Sequence, residues 1–468
     1  MDATTQRIAR YIAAAEFDRL PGEAVHECRR RIIDSVACAA AAYREPFCAS
    51  IRAFSGRYGG VPGARIWGTG ERTSIEMAAF ANGAMLRYLD YSDTWLGRSN
   101  GHPSDMIGAL VALAEAFDRS GRDLVVAIVV AYEVYCGLCD SVALAARGID
   151  QGTCAAVGAA AGSARLLGLG EAQAGEAVSL ALSSNLQLYN VRAGDLSDWK
   201  GCAGPNGARN GVFAALLARD GVTGPSAAVE GRGGLWQVVG DFNWQVDARD
   251  MPLIVATHLK LHPVCYHGQA AIDAALALRG KVSIEDITAI EVETYEAAFL
   301  AMGGDTTRWR PTNRETADHS MPYTIAVALL HGRLTSADYD QDRLGDPQAR
   351  RIMDLVRVRS SEELTKVFPD HAQTRITVRA KDGSEHTHLQ SDPKGNVGNP
   401  LTDAELERKF IELYGSWADA PAARRTLDKL WSVDRLDSVT NLVDALCDPA
   451  APADPLATTR METYREPT

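Results

Sequence analysis

The stretch "DLVVAIVVAYEVYCGLCDSVALAA", residues 123–146, decides the fold class of this chain. Its length and apolar character predict a helix that is buried inside a large all-α core. Glu133 and Asp140 interrupt it, and no run in the chain reaches 18 uncharged apolar residues. We therefore expect no transmembrane helix.

Neighbouring segments repeat this helical character through residues 1–245, which we expect to be almost wholly helical. Many carry small residues on several faces, as in "AAVGAAAGSARLLGL" (155–169), which lets helices pack closely in layers. Ala-rich segments with a 3.6-residue period lie near 22–43, 74–89, 103–119, 122–146, 153–167, 170–187 and 206–220.

The pattern changes after about residue 250. "DITAIEVETY" (286–295) alternates apolar and polar residues as a strand does, and residues 373–390 form two β-runs around Asp382-Gly383, a strong hairpin signal. Helices are predicted near 264–279 and 318–331. Together these elements indicate an α+β domain.

Residues 402–447 return to helical patterns and are expected to rejoin the first domain. The predicted fold is therefore mainly α: a large, discontinuous all-α domain (1–255 with 402–468) into which a smaller α+β domain (256–401) is inserted. The tail 448–468, rich in Pro, Ala and Thr, is expected to be loosely held.

Composition excludes several classes of function. The 468 residues include 48 Lys plus Arg and 60 Asp plus Glu, a net charge of −12, which argues against nucleic acid as the main partner. The N-terminus lacks the pattern of a signal peptide, and an odd count of nine cysteines suggests reduced thiols, so we expect a cytoplasmic protein. Cys136 and Cys139 are interpreted as core packing.

Familiar cofactor motifs do not occur. The chain has no G-x-S-x-G, no P-loop, no G-x-G-x-x-G after a strand, and no His or Cys pair with metal spacing on one helix. We therefore predict a mechanism without cofactor or metal.

The densest polar segment is "LDYSDTWLGRSNGHPSD", residues 89–105. Pro103 suits the first position of a helix, which places His102 at or beside the N-cap, where a substrate carboxylate could bind. Capping of helices is the plain interpretation of Asp90, Asp93 and Asp105, and it is favoured for Asp105. His102 and Asp93 are interpreted as functional, because a cap needs neither a second carboxylate nor an imidazole.

Three further segments place polar clusters before apolar helices. Lys200 lies in a glycine-bounded loop, with Arg192 and Arg209 nearby in sequence. The other two segments contain Lys260, His262, Cys265, Tyr266 and His267 around Pro263, and Asp318, His319, Ser320 and Tyr323. Such groups suit a pocket for a small polyanion, with His or Tyr moving protons and Lys or Arg holding carboxylates. Cys265 as a nucleophile is disfavoured because nothing in the sequence specifies a partner base.

These segments resemble the MmgE/PrpD family over nearly the whole chain, and the "LDxxDT…GHPSD" form of residues 89–105 is the most specific part. The other segments are similar in "WKGCAGPNGARNGVFAALLARDGVTGP" (199–225), "KLHPVCYHGQAAIDA" (260–274) and "DHSMPYTIAVALLHGRLT" (318–335). The resemblance implies an all-α domain with an inserted α+β lid, a homodimer, and an active site between the domains that acts on small polycarboxylates.

The family motifs carry over onto Asp93, His102, Lys200 and Lys260. His267, four residues after Pro263, resembles the dehydratases, whereas a decarboxylase has histidine where this chain has Cys265. The leading expectation is dehydration of 2-methylcitrate or a similar hydroxy-tricarboxylate. Alternatives are an epimerase of a substituted succinate, a cis-aconitate-type decarboxylase, and a catalytically silent binding protein.

The resemblance and the residue patterns together assign two sets of site residues on a di- or tricarboxylate. The predicted catalytic residues are His102, Asp93, Lys200, His267 and Tyr323. The predicted substrate-binding residues are Arg87, Thr94, Lys260, Cys265 and His319.

Overall fold

The structure is a computed structural model that describes residues 1–246 and 249–447. Its buried apolar side chains form two main clusters. The larger, which we call the helical core, draws on residues 8–259 and 401–446, and the smaller, the α+β core, draws on residues 264–378 together with Leu96. The expectation of a mainly α fold is confirmed. The predicted domain limits stay a prediction, and the predicted loose tail lies outside the described residues.

The helical core is built largely from the helices that the sequence predicts. Its helices before residue 260 are Ala3–Ala14, Gly22–Ala42, Pro46–Ser55, Ile75–Tyr88, Ile107–Ala116, Gly121–Ser141, Gly152–Leu166, Glu171–Ser184, Ala203–Arg219 and Leu235–Val239. The expectation of almost unbroken helix is wrong at a short antiparallel hairpin, Gly63–Arg65 with Arg72–Ser74. Residues 103–119 also divide, into a 3-10 turn at Pro103–Met106 and the helix that follows it.

Helix Gly121–Ser141 contains most of the apolar stretch 123–146. It begins at a capping box in which Ser120 and Asp123 satisfy each other's backbone N–H groups. The neighbouring helix Gly152–Leu166 approaches it closely through glycine, since a Cβ on Gly162 would lie 2.6 Å from the Ala127 carbonyl oxygen. Helix Gly121–Ser141 is long and apolar enough to cross a membrane, but 89% of its most apolar 18-residue segment is buried within the fold.

The α+β core contains a four-stranded sheet. The strands run in the order Val356–Ser360, Ile287–Thr294, Thr374–Ala380, Glu385–Gln390. The first pair is parallel and the other two are antiparallel, and the last pair is the predicted hairpin. Strand Thr374–Ala380 alternates buried and half-buried residues, so one of its faces packs on helices. The helices are Gln269–Leu278, Glu296–Met302, Arg314–Ala317, Met321–His331, Gln341–Leu344, Pro347–Leu355 and Glu362–Lys366.

The last helices, Asp403–Tyr414, Ala420–Trp431 and Thr440–Leu446, return to the helical core, as predicted. The Lys409 ammonium group reaches the Asp34 carboxylate at 2.6 Å, and Trp417 stacks on Tyr43. The first and last helices of the described part of the chain therefore pack in the same core.

Candidate active site

A cavity of about 510 Å³ lies between the two cores. Its polar wall from the helical side includes Arg87, Thr94, Asn100, His102, Gln151 and Arg192. Its wall from the α+β side includes Cys265, Tyr266, His267, Leu300, Arg308 and His319. The volume suits a small ligand, and the mixture of cations and imidazoles suits an anionic one.

His102 lies at the N-terminus of the Pro103–Met106 turn, as the sequence predicts. Its Nδ1 lies 2.7 Å from the backbone carbonyl oxygen of Asp93 and 3.2 Å from Oγ1 of Thr94. A carbonyl can only accept a hydrogen bond, which assigns the proton to Nδ1 and leaves Nε2 as an acceptor. Burial, with Arg87 and Lys260 nearby, holds the pKa of His102 well below its usual range. His102 is therefore a neutral imidazole with its basic nitrogen unprotonated.

Asp93 orients His102 through its backbone, not through its carboxylate as predicted. Its Oδ1 accepts a hydrogen bond from the backbone N–H of Ser104 at 3.0 Å, and its Oδ2 accepts one from the Tyr132 hydroxyl at 2.8 Å. The side chain is fully buried and is not part of the cavity wall. The carboxylate thus caps the turn that follows His102, because the first backbone N–H groups of a helical turn have no acceptor within the turn itself.

Asp90, to which the sequence assigns no functional role, lies at the centre of the charged groups. Its backbone has a φ of +50°, an uncommon conformation that aspartate tolerates better than most residues. Its Oδ1 lies 2.5 Å from Nζ of Lys260 and 3.1 Å from Nη1 of Arg87. Burial opposes ionisation, yet Arg87, Lys260 and Lys200 hold the pKa of Asp90 well below its ordinary value.

Lys200 and Lys260 are completely buried and lie behind the cavity wall. Nζ of Lys200 contacts Asp318 at 2.7 Å, Glu315 at 2.8 Å and Asp90 at 3.5 Å. Burial opposes its charge, but the surrounding carboxylates raise the pKa of Lys200. In this geometry both lysines hold carboxylates of the protein, which argues against the direct catalytic and substrate-binding roles predicted for them.

His319 is the second imidazole in the cavity wall, and it differs from His102 in charge. Its Nδ1 lies 2.5 Å from Oδ1 of Asp318 and 3.8 Å from Oδ2 of Asp90. Burial favours the neutral form, but the neighbouring Cys265 and Asp318 raise the pKa of His319 above its ordinary value. His319 is therefore placed to carry a proton, whereas the sequence predicted only a binding role for it.

The two remaining residues predicted to transfer protons, His267 and Tyr323, lie in different parts of the structure. His267 lies in the cavity wall, with Nδ1 2.7 Å from the Tyr295 hydroxyl, and burial together with His319 lowers its pKa to about 4. Tyr323 is buried in the α+β core, where its hydroxyl donates to the backbone carbonyl of Asp338. The structure does not bring Tyr323 to the cavity, which argues against its predicted acid or base role.

Three arginines provide positive charge at the cavity. Arg87, as predicted, lies in the wall, with its Nη1 3.1 Å from Oδ1 of Asp90 and its Nε 3.7 Å from Oδ1 of Asp105. Arg192 pairs with Asp150 at 2.9 Å. Arg308 donates to the carbonyl oxygens of Gly194 and Ala301, so its charge is not cancelled by a direct ion pair within residues 1–246 and 249–447. Arg87 and Arg192 therefore already pair with carboxylates of the protein, and among the described residues Arg308 keeps a charge that a ligand carboxylate could meet directly.

A group of ligand atoms suitable for a cation also exists. Oxygen or nitrogen atoms of Asp90, Asp318 and His319 lie within 4.8 Å of one another. The ammonium group of Lys200 already contacts both carboxylates, at 2.7 and 3.5 Å. The positive charge that a metal would supply between them is therefore contributed by a lysine.

Sequence reasoning missed the functional placement of Asp90, Arg308, Glu315 and Asp318. Asp318 was visible as part of a polar cluster beside His319, and Glu315 lies one helical turn before it. No sequence signal marks Arg308, because its position depends on how the α+β core lies against the Gly194 loop.

The chain is similar in sequence to one protein family over most of its length. The family models for the MmgE/PrpD N-terminal and C-terminal domains match residues 6–246 and 262–433. A 2-methylcitrate dehydratase of Cupriavidus necator is 30% identical over 394 residues, covering 78% of this chain and 80% of that protein. The 2-methylcitrate dehydratase of Salmonella typhimurium is 28% identical (84% and 85% covered), and a fungal alkylcitrate dehydratase is 28% identical (82% of each).

Proposed function

Since this chain belongs to the MmgE/PrpD family, we propose that it is a cofactor-independent hydro-lyase that dehydrates 2-methylcitrate or a similar hydroxy-tricarboxylate. The similar dehydratases support the class of reaction. The cationic cavity supports the class of substrate, because three arginines line it and Arg308 has no carboxylate partner among the described residues. A homodimer in the cytoplasm remains our prediction.

The observation that carries the proposal is the pair of imidazoles beside one carboxylate. Nε2 of His102 lies 4.0 Å from Oδ1 of Asp90, and Nδ1 of His319 lies 3.8 Å from Oδ2 of the same residue. One imidazole is neutral and the other favours its charged form. Groups whose environments separate their pKa values in this way suit the base and the acid of one reaction.

In the proposed mechanism, Nε2 of His102 takes the proton from the carbon next to a substrate carboxylate. The electron pair of that C–H bond forms the double bond as the hydroxyl group departs, and His319 gives its proton to the departing hydroxyl to release water. Arg87, Arg192 and Arg308 hold the carboxylates. Lys200 and Lys260 keep Asp90 and Asp318 ionised, so that these carboxylates position His319.

The test is turnover of purified protein with 2-methylcitrate and citrate, followed by absorbance of the enoate product. The expected result is product formation that a metal chelator does not change. No enoate from either acid would contradict the dehydratase, and loss of activity with chelator would contradict the cofactor-independent mechanism.

An epimerase of a substituted succinate is the second candidate, favoured by the same two imidazoles in opposite protonation states. An epimerase needs one base and one acid on opposite faces of a single carbon, with no leaving group. Incubation in deuterium oxide separates the two: deuterium uptake without loss of water from the substrate would support the epimerase.

A further inference from the structure

Cys265 forms an ordered series with His319 and Asp318 at the cavity wall. The side chains of Cys265 and His319 both line the cavity, and Nδ1 of His319 lies 2.5 Å from Oδ1 of Asp318. The backbone N–H of Cys265 donates to the carbonyl oxygen of Asp318 at 3.0 Å, which fixes the two segments together. A thiol beside an imidazole that a carboxylate orients is the arrangement that activates sulfur as a nucleophile. Sequence reasoning disfavoured this role because it found no partner base, and the structure supplies one.

The surroundings of Cys265 differ from those of the chain's other thiols. Burial, the largest cause, raises the pKa of Cys447 to about 11 and that of Cys202 to about 12. Burial also opposes a thiolate at Cys265, but the charge of His319 holds the pKa of the Cys265 thiol below its ordinary value. The titratable groups around the sulfur are His319, Asp318, Asp90, Lys260, Tyr189 and Tyr295.

We propose that Cys265 is a nucleophilic thiolate that forms a covalent thioether with α,β-unsaturated polycarboxylates held in the cavity. The sulfur lone pair forms a C–S bond to the β-carbon of the alkene, and the π electron pair moves to the α-carbon. The α-carbon then takes the proton of His319. The overall reaction is the addition of a thiol to an alkene, which needs no oxidant or reductant.

The cavity itself selects the electrophile. Arg87, Arg192 and Arg308 line the same wall, and a carboxylate bound to a cation withdraws electrons from a conjugated alkene better than a free carboxylate does. An anionic electrophile is therefore both concentrated and activated beside the sulfur. Under the proposed function the product is itself an unsaturated polycarboxylate, so the thiolate would respond to product that accumulates.

The experiment is alkylation of the full-length protein at pH 7, read by peptide mass spectrometry at each cysteine. Iodoacetate measures the reactivity of the thiols, and fumarate is the alkene. We expect iodoacetate to label Cys265 at least about tenfold faster than the half-buried Cys447, since thiolate fraction controls the rate. Prolonged incubation with fumarate should add the mass of one fumaric acid at Cys265.

Two variants and one competitor make the result specific. Cys265→Ser should abolish the adduct, and His319→Gln should slow labelling about tenfold and move its pH profile towards alkaline values. If His319→Gln fails to fold, protection of wild-type Cys265 by tricarballylate replaces it. Equal labelling of Cys265 and Cys447, no fumarate adduct, or no effect of His319→Gln would overturn the proposal. Labelling does not require turnover, so its outcome is independent of the dehydratase assay.

Discussion

At the scale of single residues, His102 is the position that most directly tests the proposed chemistry. Its Nδ1 is held by the Asp93 carbonyl, which leaves Nε2 as the base. His102→Gln preserves a polar group of similar length but removes the basic nitrogen. We expect kcat/KM for 2-methylcitrate to fall by about 10²–10⁴-fold, the usual contribution of a general base, with an unchanged melting temperature.

A matched control is His371→Gln, which replaces an exposed histidine paired with Asp392, away from the cavity. Its activity should equal that of the wild-type protein. Wild-type turnover by His102→Gln would remove His102 from the mechanism.

The pH dependence of activity follows from the two imidazoles. His102 must be neutral to act as a base, and its lowered pKa means that it becomes protonated only well below pH 6.5. His319 must be protonated to act as an acid, and its raised pKa means that it loses this proton above pH 6.5. Activity should therefore be maximal around pH 6.5 and fall on the alkaline side. In His319→Gln the remaining activity should lack that alkaline fall, and its persistence there would contradict the assignment of His319.

Asp90 shows why the roles of single residues can be predicted only in part from the sequence. Its carboxylate meets Arg87, three residues earlier, but also Lys200, Lys260 and His319, which lie 110 residues or more further along the chain. The motif marks the segment as polar, and the family resemblance marks its importance. The roles within the motif depend on long-range contacts, which is why the central position of Asp90 could not be predicted from the sequence.

At the scale of elements, the helices of the core were predictable because a 3.6-residue apolar period and capping residues are local properties. Helix Gly22–Ala42 differs from its predicted range by one residue. Strand Val356–Ser360 was not predicted from the sequence. It lies at the edge of the sheet and most of its residues are exposed. Its sequence "VRVRS" therefore has only a short alternation of apolar and polar residues. Its parallel pairing with Ile287–Thr294 is a tertiary property.

A buried ion pair made by helix Asp403–Tyr414 offers a test of how this helix supports the site. The Lys409 ammonium group contacts Asp34 at 2.6 Å and the backbone carbonyl of Lys260 at 2.7 Å, and the Lys409 and Asp34 side chains are both buried. Lys409→Met leaves the Asp34 charge buried without its partner. We expect the free energy of unfolding, measured by urea denaturation, to fall by about 3–5 kcal/mol.

Lys429→Met is the matched control, since its exposed ammonium group contacts only the Asn441 carbonyl oxygen among the described residues. It should cost less than about 0.5 kcal/mol. The double variant Asp34→Asn with Lys409→Met should recover part of the loss, because the unpaired charge is gone. A Lys409→Met protein as stable as the wild type would show that this buried pair adds nothing.

At the scale of the whole molecule, the cavity walls come from both hydrophobic cores, so a ligand can bind well only when both cores are folded and in contact. Tricarballylate has three carboxylates but no hydroxyl to lose. At 100 times its dissociation constant it should raise the free energy of unfolding by about 2.7 kcal/mol and delay the unfolding of both cores together. Thermal unfolding followed by calorimetry measures this.

Arg308→Gln, on the α+β side, should weaken the stabilisation, and the trimethyl ester of the ligand should give none. Equal stabilisation by the neutral ester, or unfolding of one core at an unchanged temperature, would contradict a polycarboxylate site shared between the cores.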